Sequence, residues 1–226
     1  MAQGLRVRRN ALRLPEPPGD RSGETGEGPP LRLLIAGDSA AAGVGAPTQD
    51  RALSGAVVSA LSPHFSVSWK VQARTGLRTA QVLARLERLA PEPFDVALLS
   101  LGVNDVTGGT RSAAFLDQQG QLVRLLRQRF GVQLVLLTGL PPMHAFPALP
   151  QPLRWVLGAR ARAFTRLLAS VAAAQPGCEL LDLALPLEPH FIAEDGFHPG
   201  PLAYAEWGRL AASIIGRWPA FNAAAS

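Results

Sequence analysis

The chain has 226 residues, 47% of them hydrophobic, with 22 Lys and Arg against 17 Asp and Glu and a net charge of +5. That length suits one domain with a large core, and no apolar run approaches the ~18 residues of a membrane span, so stable membrane insertion is not expected. The single cysteine, Cys178, excludes an intrachain disulfide, and arginines spread along helical patterns (Arg85, Arg88, Arg124, Arg127, Arg129) read as solvated faces, so no nucleic-acid partner is expected.

Residues 1–10 are Arg-rich and lack the apolar core of a secretory signal, which sets the expected location as cytoplasmic. Residues 15–30 are dense in Pro, Gly and charge. They read as part of an extended arm over residues 1–30 that buries little and contributes little to stability. The folded domain is expected to span residues 31–226. Its first strand is the apolar run 31–36, which ends on Gly37-Asp38-Ser39. A short apolar run bounded by turn residues reads as a buried parallel strand. Ser39 then lies at the carboxyl edge of the sheet, where open α/β folds place ligands. A serine there is either a helix N-cap or a nucleophile.

Beyond it, helical and strand patterns alternate. Residues 49–62 form a helix stopped by Pro63, and 65–73 a strand with Phe65, Val67, Trp69 and Val71 on one face. Residues 80–90 form an amphipathic helix and 94–101 a buried strand ending in Gly102-Val103-Asn104-Asp105. A long helix over 111–130 precedes a third buried strand, 132–138. A proline-rich loop over 141–152 follows, then a helix over 154–174, a short strand over 179–183 and a closing helix over 201–217. This alternation predicts an α/β fold: a flavodoxin-like three-layer α/β/α sandwich with a central parallel sheet of about five strands.

In such a sheet Gly37-Asp38-Ser39, Gly76 and Gly102-Val103-Asn104-Asp105 reach one edge, and Asp195-Gly196-Phe197-His198 lies in a loop before the last helix. Asp195 precedes His198 by three residues, so one turn can bring the two side chains together. The carboxylate can then fix the imidazole tautomer while the imidazole takes the proton of a serine hydroxyl. Together these four stretches resemble the GDSL, or SGNH, hydrolase family over nearly all of residues 31–218. Ala40 stands where the family name implies Leu, a position that bears on packing and not on chemistry.

The resemblance implies a serine esterase with catalytic Ser39, Asp195 and His198. It also implies an oxyanion hole made by the backbone N–H groups of Ser39 and Gly76 and the side-chain amide of Asn104. Glycine permits close backbone approach, and asparagine donates without charge. The expected substrate is a small-molecule carboxylic ester with a short- to medium-chain acyl group. Met143, His144 and Phe146 are candidates for lining its pocket, with Leu149 and Trp155 in the same segment. No metal site or cofactor is expected, because no His/Cys/Asp/Glu spacing fits one. Asp182, also at a strand end, is the rival partner for His198. Asp38 and Asp105 are expected to brace loops. Two other readings stay open: an acyltransferase using the same residues, and a non-catalytic flavodoxin-like module that holds a phosphate at a helix N-terminus behind Ser39.

Overall fold

The structure, a computed structural model, describes residues 12–183 and 188–222. Its strands are β1 (Ser22–Thr25), β2 (Pro30–Gly37), β3 (Ser66–Ala73), β4 (Val96–Ser100), β5 (Leu134–Thr138) and β6 (Cys178–Leu181). They form one sheet in the order β1-β3-β2-β4-β5-β6. β2 to β6 are parallel, and β1 runs antiparallel on the β3 edge. The helices are α1 (Leu53–Leu61), α2 (Thr79–Glu87), α3 (Val103–Thr107), α4 (Ser112–Phe130), α5 (Leu153–Ala174), α6 (Pro201–Gly216) and α7 (Pro219–Asn222).

Side chains alternate across each strand, so successive residues serve opposite layers. Leu33, Ile35, Leu98, Leu134 and Leu136 pack under α1 and α6, with Val57, Leu61, Tyr204 and Ile215. Leu34, Ala36, Ala97, Leu99, Val135 and Leu137 pack under α2, α4 and α5, with Leu86, Phe115, Leu126 and Phe164. Burial on both faces explains why β2, β4 and β5 are near-continuous apolar runs. It also confirms the expected three-layer α/β architecture. Cys178 opens β6 as a buried residue, and burial pushes its thiol up to about 12.

Two elements depart from the sequence reading. Residues 103–107 form the short helix α3, where the sequence reading has only the end of a strand at Gly102-Val103-Asn104-Asp105. The second departure concerns the arm: its described part, residues 12–30, lies against the fold. β1 pairs from Ser22 opposite Lys70 to Thr25 opposite Val67, and the Gly23 backbone passes over the Trp69 ring so closely that a Cβ would sit 2.5 Å from it. Pro17 is buried, Gln49 donates to its carbonyl, and Glu16 accepts from the backbone N–H (2.7 Å) and hydroxyl (2.8 Å) of Thr75. The boundary expected at residue 31 therefore falls inside β2. β1 escaped the sequence reading because Ser-Gly-Glu-Thr has no apolar residue and every one of its residues is exposed. It is held by backbone pairing, which leaves no periodic trace in the sequence.

Candidate active site

β2 delivers Ser39 to the carboxyl edge of the sheet. At Gly37 a Cβ would lie 2.2 Å from the Ser100 carbonyl oxygen, so glycine is what lets β2 and β4 stay this close. The Asp38 N–H donates to that same carbonyl at 3.1 Å. The chain then runs through turns over residues 38–48, and the first α-helix begins only at Leu53. Ser39 caps no helix, and no helix N-terminus stands directly behind it for a phosphate. Its hydroxyl instead lies 2.9 Å from His198 Nε2.

His198 comes from the far end of the chain, two residues before the N-cap of α6. Asp195 Oδ1 accepts the backbone N–H groups of Phe197 and His198, each at 3.0 Å, and folds the segment into a turn. That turn leaves Asp195 Oδ2 2.5 Å from His198 Nδ1. Burial alone raises the Asp195 carboxyl. The hydrogen bonds and charge of His198, with the Phe197 N–H, outweigh it and hold the group below its ordinary value. Asp195 is therefore a carboxylate at neutral pH, placed to orient and stabilise an imidazolium.

Two contacts clamp the serine loop to the histidine loop. Gly45 (φ +99°) lies against the Pro199 carbonyl oxygen, 2.2 Å from where a Cβ would stand. The buried Tyr204 hydroxyl donates to the Val44 carbonyl at 2.6 Å. Tyr204 carries no motif signal. Its role could be found only by noting an aromatic hydroxyl on the inward face of the closing helix.

Of the expected oxyanion residues, Gly76 lies in the turn before α2 and Asn104 reaches the serine loop through Asp38. Gly76 has φ +83° and open space where a Cβ would be. Asn104 sits in α3, and its Nδ2 donates to Asp38 Oδ2 at 3.2 Å and to the Leu77 carbonyl at 3.1 Å. Both side-chain N–H groups are thus engaged. Asp38 is buried, and burial is the main cause that pushes its carboxyl up to about 7, against the lowering effect of the Ala40 N–H, His198 and Asn104. Asp105 Oδ2 accepts from the Thr79 N–H (3.0 Å) and hydroxyl (2.8 Å), and its Oδ1 from the Thr110 hydroxyl (3.0 Å), bracing the start of α2.

Beside Ser39 and His198 opens an apolar cleft of about 830 Å³, mouth included. Leu101, Leu140, Phe146, Leu183, Ile192 and Trp207 are among its walls. Of the three candidate pocket residues, only Phe146 lines it, braced edge-on against Phe197 at 5.0 Å. Met143 is fully buried in the core on the α5 side, and His144 is exposed with its ring beside Arg162. A single turn of 3-10 helix over Met143–Ala145 rotates these neighbours to different sides. Leu149 is also core, and Trp155 is exposed. The rival carboxylate Asp182 is exposed, while His64 and His190 lie at the surface, His190 paired with Glu188. Among the described residues no group of three His, Cys, Asp or Glu side chains could hold a metal, and no helix is long and apolar enough to cross a membrane.

Residues 35–206 match the GDSL-like lipase/acylhydrolase family. A GDSL-like esterase of Mycobacterium tuberculosis is 26% identical over 196 residues, which cover 82% of this chain and 60% of that protein. The chain therefore spans less than two thirds of that relative's length. Among solved structures, a lipolytic protein of the G-D-S-L family from Veillonella parvula superposes with a TM-score of 0.66 at 16% identity, covering 83% of this chain and all of that one. A lipase/acylhydrolase from Enterococcus faecalis gives 0.61 at 21% identity, over 82% and 95% of the two chains. At these identities the structural likeness speaks for the fold.

Proposed function

The chain belongs to the GDSL-like lipase/acylhydrolase family, and on that footing we propose that it hydrolyses carboxylic esters through an acyl-enzyme on Ser39. The observation that carries the reading is the unbroken line from Ser39 Oγ to His198 Nε2 (2.9 Å) and from His198 Nδ1 to Asp195 Oδ2 (2.5 Å). His198 Nε2 takes the hydroxyl proton as Oγ bonds to the ester carbonyl carbon. The C=O electron pair moves onto its oxygen. The intermediate collapses as the imidazolium proton passes to the departing alcohol, leaving an acyl-serine and a neutral imidazole. Water repeats the sequence: its proton goes to His198, its oxygen to the acyl carbon, and the proton returns to Ser39 as the acid leaves.

The oxyanion faces the backbone N–H groups of Ser39 and Gly76 and the Asn104 amide. A charged oxygen is a stronger acceptor than a neutral carbonyl, so it competes with the long bonds that Asn104 makes at rest. The cleft takes a short- to medium-chain acyl group, in keeping with its apolar walls.

The test is turnover of an ester series varying in acyl length, with Ser39→Ala as control. The expected result is folded protein whose hydrolysis falls by about 10⁴ or more and which no longer reacts with a serine-directed phosphonate. Mass-spectrometric assignment of the phosphonate adduct to another serine would overturn the reading.

A further inference from the structure

Two residues that line the cleft carry buried polar atoms with no partner among the described residues. Thr138 is the last residue of β5 and 4% exposed, and Trp207, in the second turn of α6, is 3% exposed. Both line the cleft, and among the described residues neither Thr138 Oγ1 nor Trp207 Nε1 has a hydrogen-bond partner. Buried donors are nearly always satisfied, because leaving one bare forfeits its bond to water. Here two such atoms, closed off from solvent, belong to residues that line a cleft opening beside Ser39. A cleft shaped only for hydrocarbon would be served by Val and Phe at these positions, which fill similar space without the cost.

Resting on the esterase reading above, we propose that the acyl chain seated in this cleft carries a neutral oxygen acceptor, a hydroxyl, keto or ether oxygen, met by Thr138 and Trp207. The indole N–H only donates, which selects an acceptor. The lining holds no Lys or Arg and includes Asp38, so a carboxylate at that place would be buried beside an acid without a counter-charge. The oxygen lies along the chain, away from the scissile carbonyl, which is turned toward Gly76 and Asn104.

The experiment compares esters of one alcohol whose acyl chains match in length. One set is plain alkanoyl, and the other carries a keto or hydroxyl oxygen at successive carbons. At one position the oxygenated ester is expected to have a kcat/KM about ten- to a hundredfold higher, the discrimination supported by a hydrogen bond to an otherwise unpaired buried group. Thr138→Val and Trp207→Phe bring that ratio toward one, and Thr138→Ser, which keeps the hydroxyl, preserves it. Thr138→Val is expected not to lower Tm, since it removes a group with no partner.

A second measurement needs no turnover. Non-hydrolysable amides of the paired chains are titrated into the protein, and the indole N–H resonance lost in Trp207→Phe is followed. The oxygenated amide moves it and the plain one does not. Equal rates at every oxygen position, a preference seen only for oxygen on the alcohol side, or a preference that survives both Thr138→Val and Trp207→Phe overturns the proposal. So does an amide pair that leaves the resonance unmoved. Absence of any ester turnover would instead strike the esterase reading, while the amide titration still decides this one.

Discussion

The two sides of Ser39 are held in different ways. On the histidine side, the Asp195–His198 contact closes across three residues and is backed by an Asx turn within the same loop. On the side of the proposed oxyanion residues, the side-chain supports are long-range. Asn104 is tied to Asp38 across 66 residues and to Leu77 across 27, and Thr75, beside Gly76, is tied to Glu16 across 59. The first side is complete at rest, with His198 Nε2 already 2.9 Å from Ser39 Oγ. On the second, the Asn104 amide is engaged by Asp38 and Leu77 at rest. The contrast teaches that the proposed proton-transfer pair is held by a local motif, whereas the side chain of the proposed oxyanion residue Asn104 is held by how distant segments are packed.

The largest effect should come from breaking the local motif. Asp195→Asn is expected to lower kcat by up to about 10⁴, the loss seen where an acid fixes the tautomer of a serine hydrolase base. Asp182→Asn, at an exposed position, should behave like wild type. Steady-state kinetics on both, with circular dichroism to confirm folding, checks this. The reverse pattern would move the acid to Asp182.

Asn104→Ala attacks the other side. Its kcat should fall by about 10²–10³ with a smaller change in KM, as for loss of one oxyanion donor. Single-turnover acylation rates are the measurement. A rate equal to wild type would mean that the amide serves only to tie Asp38 to Leu77.

Removing residues 1–29 tests the long-range supports. It deletes β1 and the Glu16 contacts to Thr75 and Arg21. Tm should drop by about 5–10 °C, at a few degrees per kcal/mol for a chain of this size, and kcat/KM should fall severalfold as the Gly76 turn loosens. Glu16→Ala should reproduce part of both effects. Burial raises the Glu16 carboxyl, but Thr75 and Arg21 outweigh it and leave the group below its ordinary value. Its contribution is therefore present above the unfolded carboxyl range and is lost as the pH falls through the folded value. A Tm and rate unchanged by the deletion would remove the arm from the fold.

The smallest effect concerns the junction of the two sides, Asp38. Its folded carboxyl titrates near about 7, far above its ordinary 3.8. The folded state holds the proton more tightly, so stability from this group is full below the unfolded value and is lost as pH rises through about 7. Asp38→Asn removes that loss. Its Tm relative to wild type should climb between pH 4 and pH 8. Thermal melts across that range check it, and a constant difference would show that Asp38 stays ionised throughout.

Local pattern was enough to determine a good deal of this protein. β2, β4 and β5 are buried on both faces, so their apolar runs could be read directly. The helices that cover them carry period-matched apolar stripes, and their observed ends differ from the expected ones by few residues. The spacing of Asp195 and His198 can be read from the sequence alone, whereas the expected roles of Gly76 and Asn104 rest on the joint resemblance of four short stretches to the GDSL family.

Packing decided the rest. The edge strand β1 and the Glu16–Thr75 bonds depend on backbone pairing and a single carboxylate, neither of which leaves a periodic signal. Met143, His144 and Phe146 are neighbours in sequence, yet a 3-10 turn sends them to the core, the surface and the cleft. The engagement of Asn104, the raised carboxyl of Asp38 and the bare Thr138 and Trp207 atoms arise where distant segments exclude water together. Burial and hydrogen-bond satisfaction are properties of the assembled interior, and residue order carries them only through the fold.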